Sequence, residues 1–133
     1  MNLEKRVFVI PHFHYDVAWI STEEEYLKIV YKILGKVMEI MEKDEDFTYV
    51  VDQAFYLEKM KRERSKLFRQ VAERILEGRI EVVNAGYVMP DLNLISPFTI
   101  KKNYEIARAR WQIDSSSLER CYGRKKTEHF VCL

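Results

Sequence analysis

The chain has 133 residues, of which 47% are apolar and 32% charged, and its formal net charge is +1 at pH 7. This composition is typical of one soluble globular domain and excludes extended disorder, while the near-neutral charge argues against a nucleic-acid partner. The N-terminal apolar run is too short for a signal peptide or a membrane span, and the two cysteines make no Cys-x-x-Cys pair. We therefore expect a cytoplasmic protein that contacts neither nucleic acid nor membrane.

The first element is an apolar run, Val7–Ile10, that predicts a strand over residues 6–10 buried on both faces. Polar and aromatic side chains follow Pro11 at its exit: His12, His14, Asp16 and Trp19. His14 and Asp16 are two residues apart, so in an extended segment their side chains point the same way. Because histidine is the commonest metal ligand, this pair predicts half of a metal site.

The next elements alternate between helix and strand. Two overlapping capping boxes, beginning at Ser21 and Thr22, and helical apolar spacing predict a helix over residues 23–41. A strand is expected at Phe47–Val51. A helical region at residues 54–77 follows, interrupted near Arg62–Ser65, and Gly78 ends it.

The last part of the chain continues the alternation. Ile80–Val83 predicts a third strand, and Ser96-Pro97 opens a helix that is expected to reach Tyr122. Residues 127–133 could form a fourth strand. The order predicts an α/β fold with a parallel sheet and right-handed crossovers.

Polar residues follow each predicted strand: His12, His14 and Asp16 the first, Asp52 the second, and Asn84 and Asp91 the third. Ligand sites of parallel α/β folds lie at the carboxyl ends of the strands, so this placement predicts a functional site. Three or four strands do not close a barrel, which takes about eight. The chain is therefore either a small open α/β domain or the front part of a larger one.

Two motifs carry a resemblance to a known family. Pro11 to Trp19 reads Pro-His-x-His-x-Asp-x-x-Trp, and residues 78–91 form a second block that ends in Pro90-Asp91, with Asn93 and Ser96 also fitting. Both motifs resemble glycoside hydrolase family 38, the retaining α-mannosidases. The resemblance covers nearly the whole chain and implies that residues 1–133 form a single partial domain. That domain would be the N-terminal part of an α-mannosidase catalytic domain, an incomplete (β/α) barrel of about three to four strands.

The resemblance also implies site residues. His14 and Asp16 match two zinc ligands, His12 matches a histidine that is not a ligand, and Trp19 and Asp91 match residues that line the sugar site. A Zn²⁺ cofactor and an α-mannoside substrate follow from the same match. Retaining chemistry further requires two carboxyls roughly 5 Å apart.

The family nucleophile has two possible alignments. Asp114 could be this nucleophile, but Ser115–Ser117 follow it where the family has Phe-Gly-His. Alternatively, residues 111–122 form the helix before the nucleophile strand, and the chain stops just short of the aspartate. The helical stripe favours the second alignment. In either case the general acid/base and the last zinc histidine are not found in this sequence.

Three functions compete. The first is a truncated α-mannosidase-like hydrolase that keeps half a zinc site and lacks activity alone, from a broken gene or as one piece of a split enzyme. The second is a non-enzymatic interaction subunit that uses its open sheet edge to form a homo-oligomer or to bind a complementing chain. The third is a metal-dependent carbohydrate deacetylase-like hydrolase, which usually needs a further histidine pair where only His129 remains.

Overall fold

The computed structural model describes residues 7–17, 19–83 and 86–110. Four helices and two strands follow one another as α1 (Glu23–Met41), β1 (Tyr49–Val51), α2 (Ala54–Glu63), α3 (Ser65–Leu76), β2 (Ile80–Val82) and α4 (Pro97–Arg110). The strands β1 and β2 pair in parallel, with Tyr49 opposite Ile80 and Val51 opposite Val82. The fold is therefore mixed α/β, with helices α2 and α3 forming the crossover between the two parallel strands.

Most of the expected elements form close to where the sequence predicts them. Thr22 caps α1 in a capping box with Glu25, and the predicted interruption of the second helical region lies at Arg64, whose backbone leaves the helical conformation. Helix α4 begins at Pro97 as expected. Its predicted extension to Tyr122 and the strand at residues 127–133 lie outside the described residues. Within the described part, each helix is too short or too polar to cross a membrane.

The predicted N-terminal strand is wrong over its described residues. Val7–Ile10 are between 63% and 87% exposed and form no strand. The segment first contacts the sheet at Pro11 and His12. The Val50 amide donates to the Pro11 carbonyl at 3.1 Å, and His12 makes an isolated parallel bridge to Val50. A strand buried on both faces needs layers on both sides, and no described element covers this run. The incomplete barrel of three to four strands therefore stays a prediction.

The core lies between helices α1, α2 and α3 and one face of the sheet. Apolar side chains at helical spacing on α1 meet those of α2 and α3, because each helix turns one apolar stripe inward. The fully buried members include Val30, Leu34, Tyr56, Met60 and Val71. This core supports the sheet edge at which the polar residues lie.

The loop after β2 completes the start of α2. The N-terminal amides of a helix have no intrahelical acceptors, and Gln53 at the N-cap provides no side-chain bond to them. Instead, Ala54 N–H donates to the Gly86 carbonyl at 3.1 Å and Phe55 N–H donates to the Tyr87 carbonyl at 2.9 Å. The β2 end and the α2 start are thereby held together.

Asn103 fastens α4 to the same loop. Its side-chain oxygen accepts from Val88 N–H at 3.0 Å, and its amide nitrogen donates to the Val88 carbonyl at 2.8 Å. A Cβ on Gly86 would lie 2.7 Å from the Asn103 amide nitrogen, so a larger residue here would force the Asn103 side chain to move.

Arg79 ties together the connection between α1 and β1. It follows Gly78, whose positive φ of 75° turns the chain out of α3. Its guanidinium donates to the carbonyls of Met41 at 3.1 Å and Phe47 at 3.2 Å, and also to that of Asp44. One side chain therefore satisfies three backbone acceptors at the end of α1 and in the loop that follows.

A buried carboxylate, Glu58, links α2 to α4. The Tyr87 hydroxyl donates to it at 2.7 Å, Arg62 pairs with it on the same helix, and Arg110 approaches at 3.4 Å. Burial raises the pKa of Glu58, but the Tyr87 hydroxyl and the two guanidinium groups outweigh burial and leave the pKa below its ordinary value. The carboxylate is therefore more stable in its charged form in the folded chain than in the unfolded one.

Glu58→Gln should destabilise the fold at neutral pH by about 1–3 kcal/mol, since it removes a charged acceptor from three donors. A depressed pKa contributes stability above the unfolded-state value of about 4.5, and this contribution is lost as the pH falls through the folded-state value. Urea titrations at several pH values should show a wild-type advantage that disappears in acid. Glu105→Gln, which alters an exposed carboxylate of α4, is the control and should change stability little. An equal loss at all pH values would contradict this assignment.

Candidate metal centre

The segment that follows Pro11 alternates between buried and exposed side chains. Phe13 is buried and its ring packs edge-on against Tyr56 at 5.5 Å, while Tyr15 packs against Tyr26 at the same centroid distance. Tyr15 is half-buried, whereas His14 between these two aromatic residues and Asp16 after them are exposed. This is the period of two expected of an extended chain, and it places His14 and Asp16 on one side.

His14 lies between two carboxylates. Its Nδ1 is 2.9 Å from Oδ2 of Asp52, and its Nε2 is 3.8 Å from Oδ1 of Asp16. The side chains of His14 and Asp16 are 46% and 48% exposed, whereas that of Asp52 is 6% exposed. The imidazole therefore has one nitrogen on a buried carboxylate and the other at the surface beside Asp16.

The backbone between the two exposed side chains is held by the start of α2. Gln53 Nε2 donates to the Tyr15 carbonyl at 2.9 Å, and the Tyr56 hydroxyl donates to the same oxygen at 2.6 Å. Burial, and secondarily the charge of Asp52, raises the pKa of Tyr56, so its hydroxyl remains a donor. His14 and Asp16 thus project from a backbone that is fixed at the residue between them.

The two exposed side chains are of the kinds that bind zinc. Zinc binds imidazole nitrogen and carboxylate oxygen, and two ligands of one tetrahedral zinc lie roughly 3.4 Å apart. The 3.8 Å between His14 Nε2 and Asp16 Oδ1 is somewhat longer than this spacing. Among the described residues, no group of three or more histidine, cysteine, aspartate or glutamate side chains is arranged to hold a metal ion. What the described part offers is therefore a pair of donors, and a full coordination sphere needs further ligands.

Comparison with known proteins decides the family. Residues 4–114 match the model of the glycosyl hydrolases family 38 N-terminal domain, which is most of the chain. The chain belongs to glycosyl hydrolase family 38. Both motifs described above fall within the matched range.

Several α-mannosidases are similar to this family 38 chain. It is 32% identical over 88 residues to alpha-mannosidase 2 of Arabidopsis thaliana, covering 65% of this chain and 8% of that protein. Lysosomal alpha-mannosidase of Mus musculus is 30% identical over 95 residues, or 64% and 9% of the two chains. A probable alpha-mannosidase of Arabidopsis thaliana is 28% identical over 131 residues, or 81% and 13%. The chain thus spans about a tenth of the length of these relatives.

The other site residues expected from the family motifs are Trp19, Asp91 and His12. Trp19 is 75% exposed just before α1. Asp91 is exposed and its carboxylate accepts from Asn93 N–H at 2.9 Å, a local turn bond. The described contacts include no hydrogen bond or ion pair between Asp91 and the donor pair. His12 is exposed and joins the sheet through its backbone. Asn84 and Asp114 lie outside the described residues.

Three residues support the donor pair: Asp52, which the sequence predicts at the functional edge of the sheet, and Gln53 and Tyr56, which it gives no role in the site. They end β1 and begin α2, and their contacts reach back by 38 to 41 positions in the chain. The sequence does place Asp52 at the end of the second predicted strand. The sequence signal for the contact with His14 is that the first two segments are expected side by side in a parallel sheet, and the structure keeps this neighbourhood through the single bridge from His12 to Val50.

Gln53→Leu and Tyr56→Phe should each cost about 0.5–1.5 kcal/mol of stability, because the Tyr15 carbonyl keeps one of its two donors. The double variant should lose more than the sum of the two, since the carbonyl then has neither donor. A double-mutant cycle by chemical denaturation measures this coupling. Strictly additive losses would mean that the two donors do not share this acceptor.

Proposed function

We propose that this chain is the N-terminal part of an α-mannosidase catalytic domain and that His14 and Asp16 provide half of its zinc site. One observation carries the proposal: in a family 38 chain, His14 Nε2 and Asp16 Oδ1 face each other at the surface, 3.8 Å apart. The names of the similar proteins support an α-mannoside as the substrate class.

Zinc bound here would supply a Lewis acid for oxygen atoms of a sugar. His14 and Asp16 would hold the ion, and Gln53 and Tyr56 would keep their backbone in place. The exposed indole of Trp19 offers an apolar face for a sugar ring. Asp91 is proposed as a second contact to the sugar, since its carboxylate is exposed on the loop after β2.

We further propose that the chain is inactive alone. Two zinc donors leave coordination positions to be filled, and neither sequence alignment supplies the general acid/base or the last zinc histidine. The remaining zinc ligands and the carboxyl pair of a retaining mechanism would come from further residues of a larger enzyme or from a complementing chain. A cytoplasmic location remains a prediction of the sequence.

The surface of the N-terminal segment favours a second candidate, a non-enzymatic subunit of a split enzyme or of a homo-oligomer. Val7–Ile10 present a contiguous run of exposed apolar side chains next to the sheet. Runs of this kind mark association surfaces. No observation favours the deacetylase-like hydrolase, which stays a prediction.

The 133-residue chain should bind one zinc ion, more weakly than a four-ligand site does, and should not hydrolyse an aryl α-mannoside. Competition with a chromophoric chelator measures the binding, and release of the aryl group measures the hydrolysis. His14→Ala should abolish zinc binding because it removes one of two donors. The proposal fails if the wild type binds no zinc or if His14→Ala binds it equally well.

His12→Ala is the matched control. It removes an imidazole from the same exposed segment, two residues away, without touching the donor pair, and should leave zinc affinity unchanged. Turnover of the aryl α-mannoside by the wild-type chain would contradict the proposed inactivity.

A further inference from the structure

Asp52 is a buried carboxylate, and its contacts do not account for the cost of burying it. Its Oδ2 meets His14 Nδ1 at 2.9 Å, but its Oδ1 is buried and has no hydrogen-bond partner among the described residues. His14 is also the one group within ion-pair distance of it in the described part of the chain. A buried carboxylate oxygen without a donor costs stability, so an aspartate is a poor choice here for folding alone.

Two buried tyrosines lie close enough to Asp52 to be affected by its charge. Burial, and then the charge of Asp52, raises the pKa of Tyr49 as well as that of Tyr56. The Tyr56 hydroxyl donates to the Tyr15 carbonyl instead of to this carboxylate. Among the described contacts of this carboxylate, the hydrogen bond of Oδ2 is with the His14 ring.

We propose that Asp52 is the positioning residue of the metal site, which fixes the proton of His14 on Nδ1 and leaves the Nε2 lone pair facing Asp16. An ionised carboxylate can only accept, so the nitrogen bonded to it must donate. The neutral ring then has its lone pair on Nε2, the nitrogen at the surface. Ligating histidines commonly donate their other N–H to a carboxylate, which sets the tautomer and the ring orientation.

This inference rests on the proposed zinc site and adds a residue to it. Asp52 does not reach the ion, because its bonded oxygen is on the opposite ring nitrogen and its side chain is buried. It acts through His14. Its loss should therefore weaken zinc binding without removing a ligand.

The test compares the wild-type chain with Asp52→Asn by two measurements. Nitrogen-15 NMR of the histidine ring, on the neutral imidazole and without metal, reports which nitrogen of His14 carries the proton. Chelator competition reports zinc affinity. We expect the Nδ1–H tautomer in the wild type, its partial or complete loss in Asp52→Asn, and a zinc affinity about 10- to 100-fold lower in the variant.

Asp46→Asn is the matched control, because it makes the same chemical change at an exposed carboxylate in the α1–β1 loop. It should change neither the tautomer nor the affinity. Thermal unfolding without metal separates positioning from a structural role. Asp52→Asn should unfold within a few degrees of the wild type, since the residue it replaces has an unpartnered buried oxygen.

The outcomes distinguish this inference from the proposed function. Wild-type zinc binding with an unchanged affinity in Asp52→Asn overturns the role of Asp52 alone. An Nε2–H tautomer in the wild type overturns it as well, and needs no variant. Absence of zinc binding in the wild type overturns both the role of Asp52 and the half-site.

Discussion

The attachment of the His14–Asp16 segment to the junction of β1 and α2 is the interaction on which the site depends. The junction makes three hydrogen bonds to this segment. Asp52 meets the His14 ring, and Gln53 and Tyr56 both donate to the Tyr15 carbonyl. Upstream of Pro11 the described chain has no strand partner. The geometry of the exposed donors therefore comes from the side chains of the junction more than from a sheet.

That junction depends in turn on the loop after β2. The first amides of α2 donate to carbonyls of this loop, and Asn103 of α4 holds the loop through both backbone groups of Val88. Glu58 adds a charged contact between α2, the loop and the end of α4. Gly86 therefore affects the site indirectly. Its carbonyl accepts from Ala54 N–H at the start of α2, and the residues at that start hold the Tyr15 carbonyl.

Local signals in the sequence predicted the local structure well. The capping box at Thr22, the interruption near Arg64 and the start of α4 at Pro97 are each determined within a few residues, and each is confirmed. The alternation that puts His14 and Asp16 on one side is local too. The strand expected at residues 6–10 failed because burial on both faces depends on neighbours that a run of apolar residues does not specify. Asp52 was placed correctly at a strand end, but its contact with His14 joins residues 38 positions apart.

The hydrogen bonds of Arg79 restrict the length of the loop between α1 and β1. The loop at residues 42–48 is largely exposed and would ordinarily be a good place for an inserted peptide or an affinity tag. Here three of its backbone carbonyls, counting the last residue of α1, converge on one guanidinium from the start of β2. Lengthening this loop would separate acceptors that must stay together, so the loop is exposed yet intolerant of insertion.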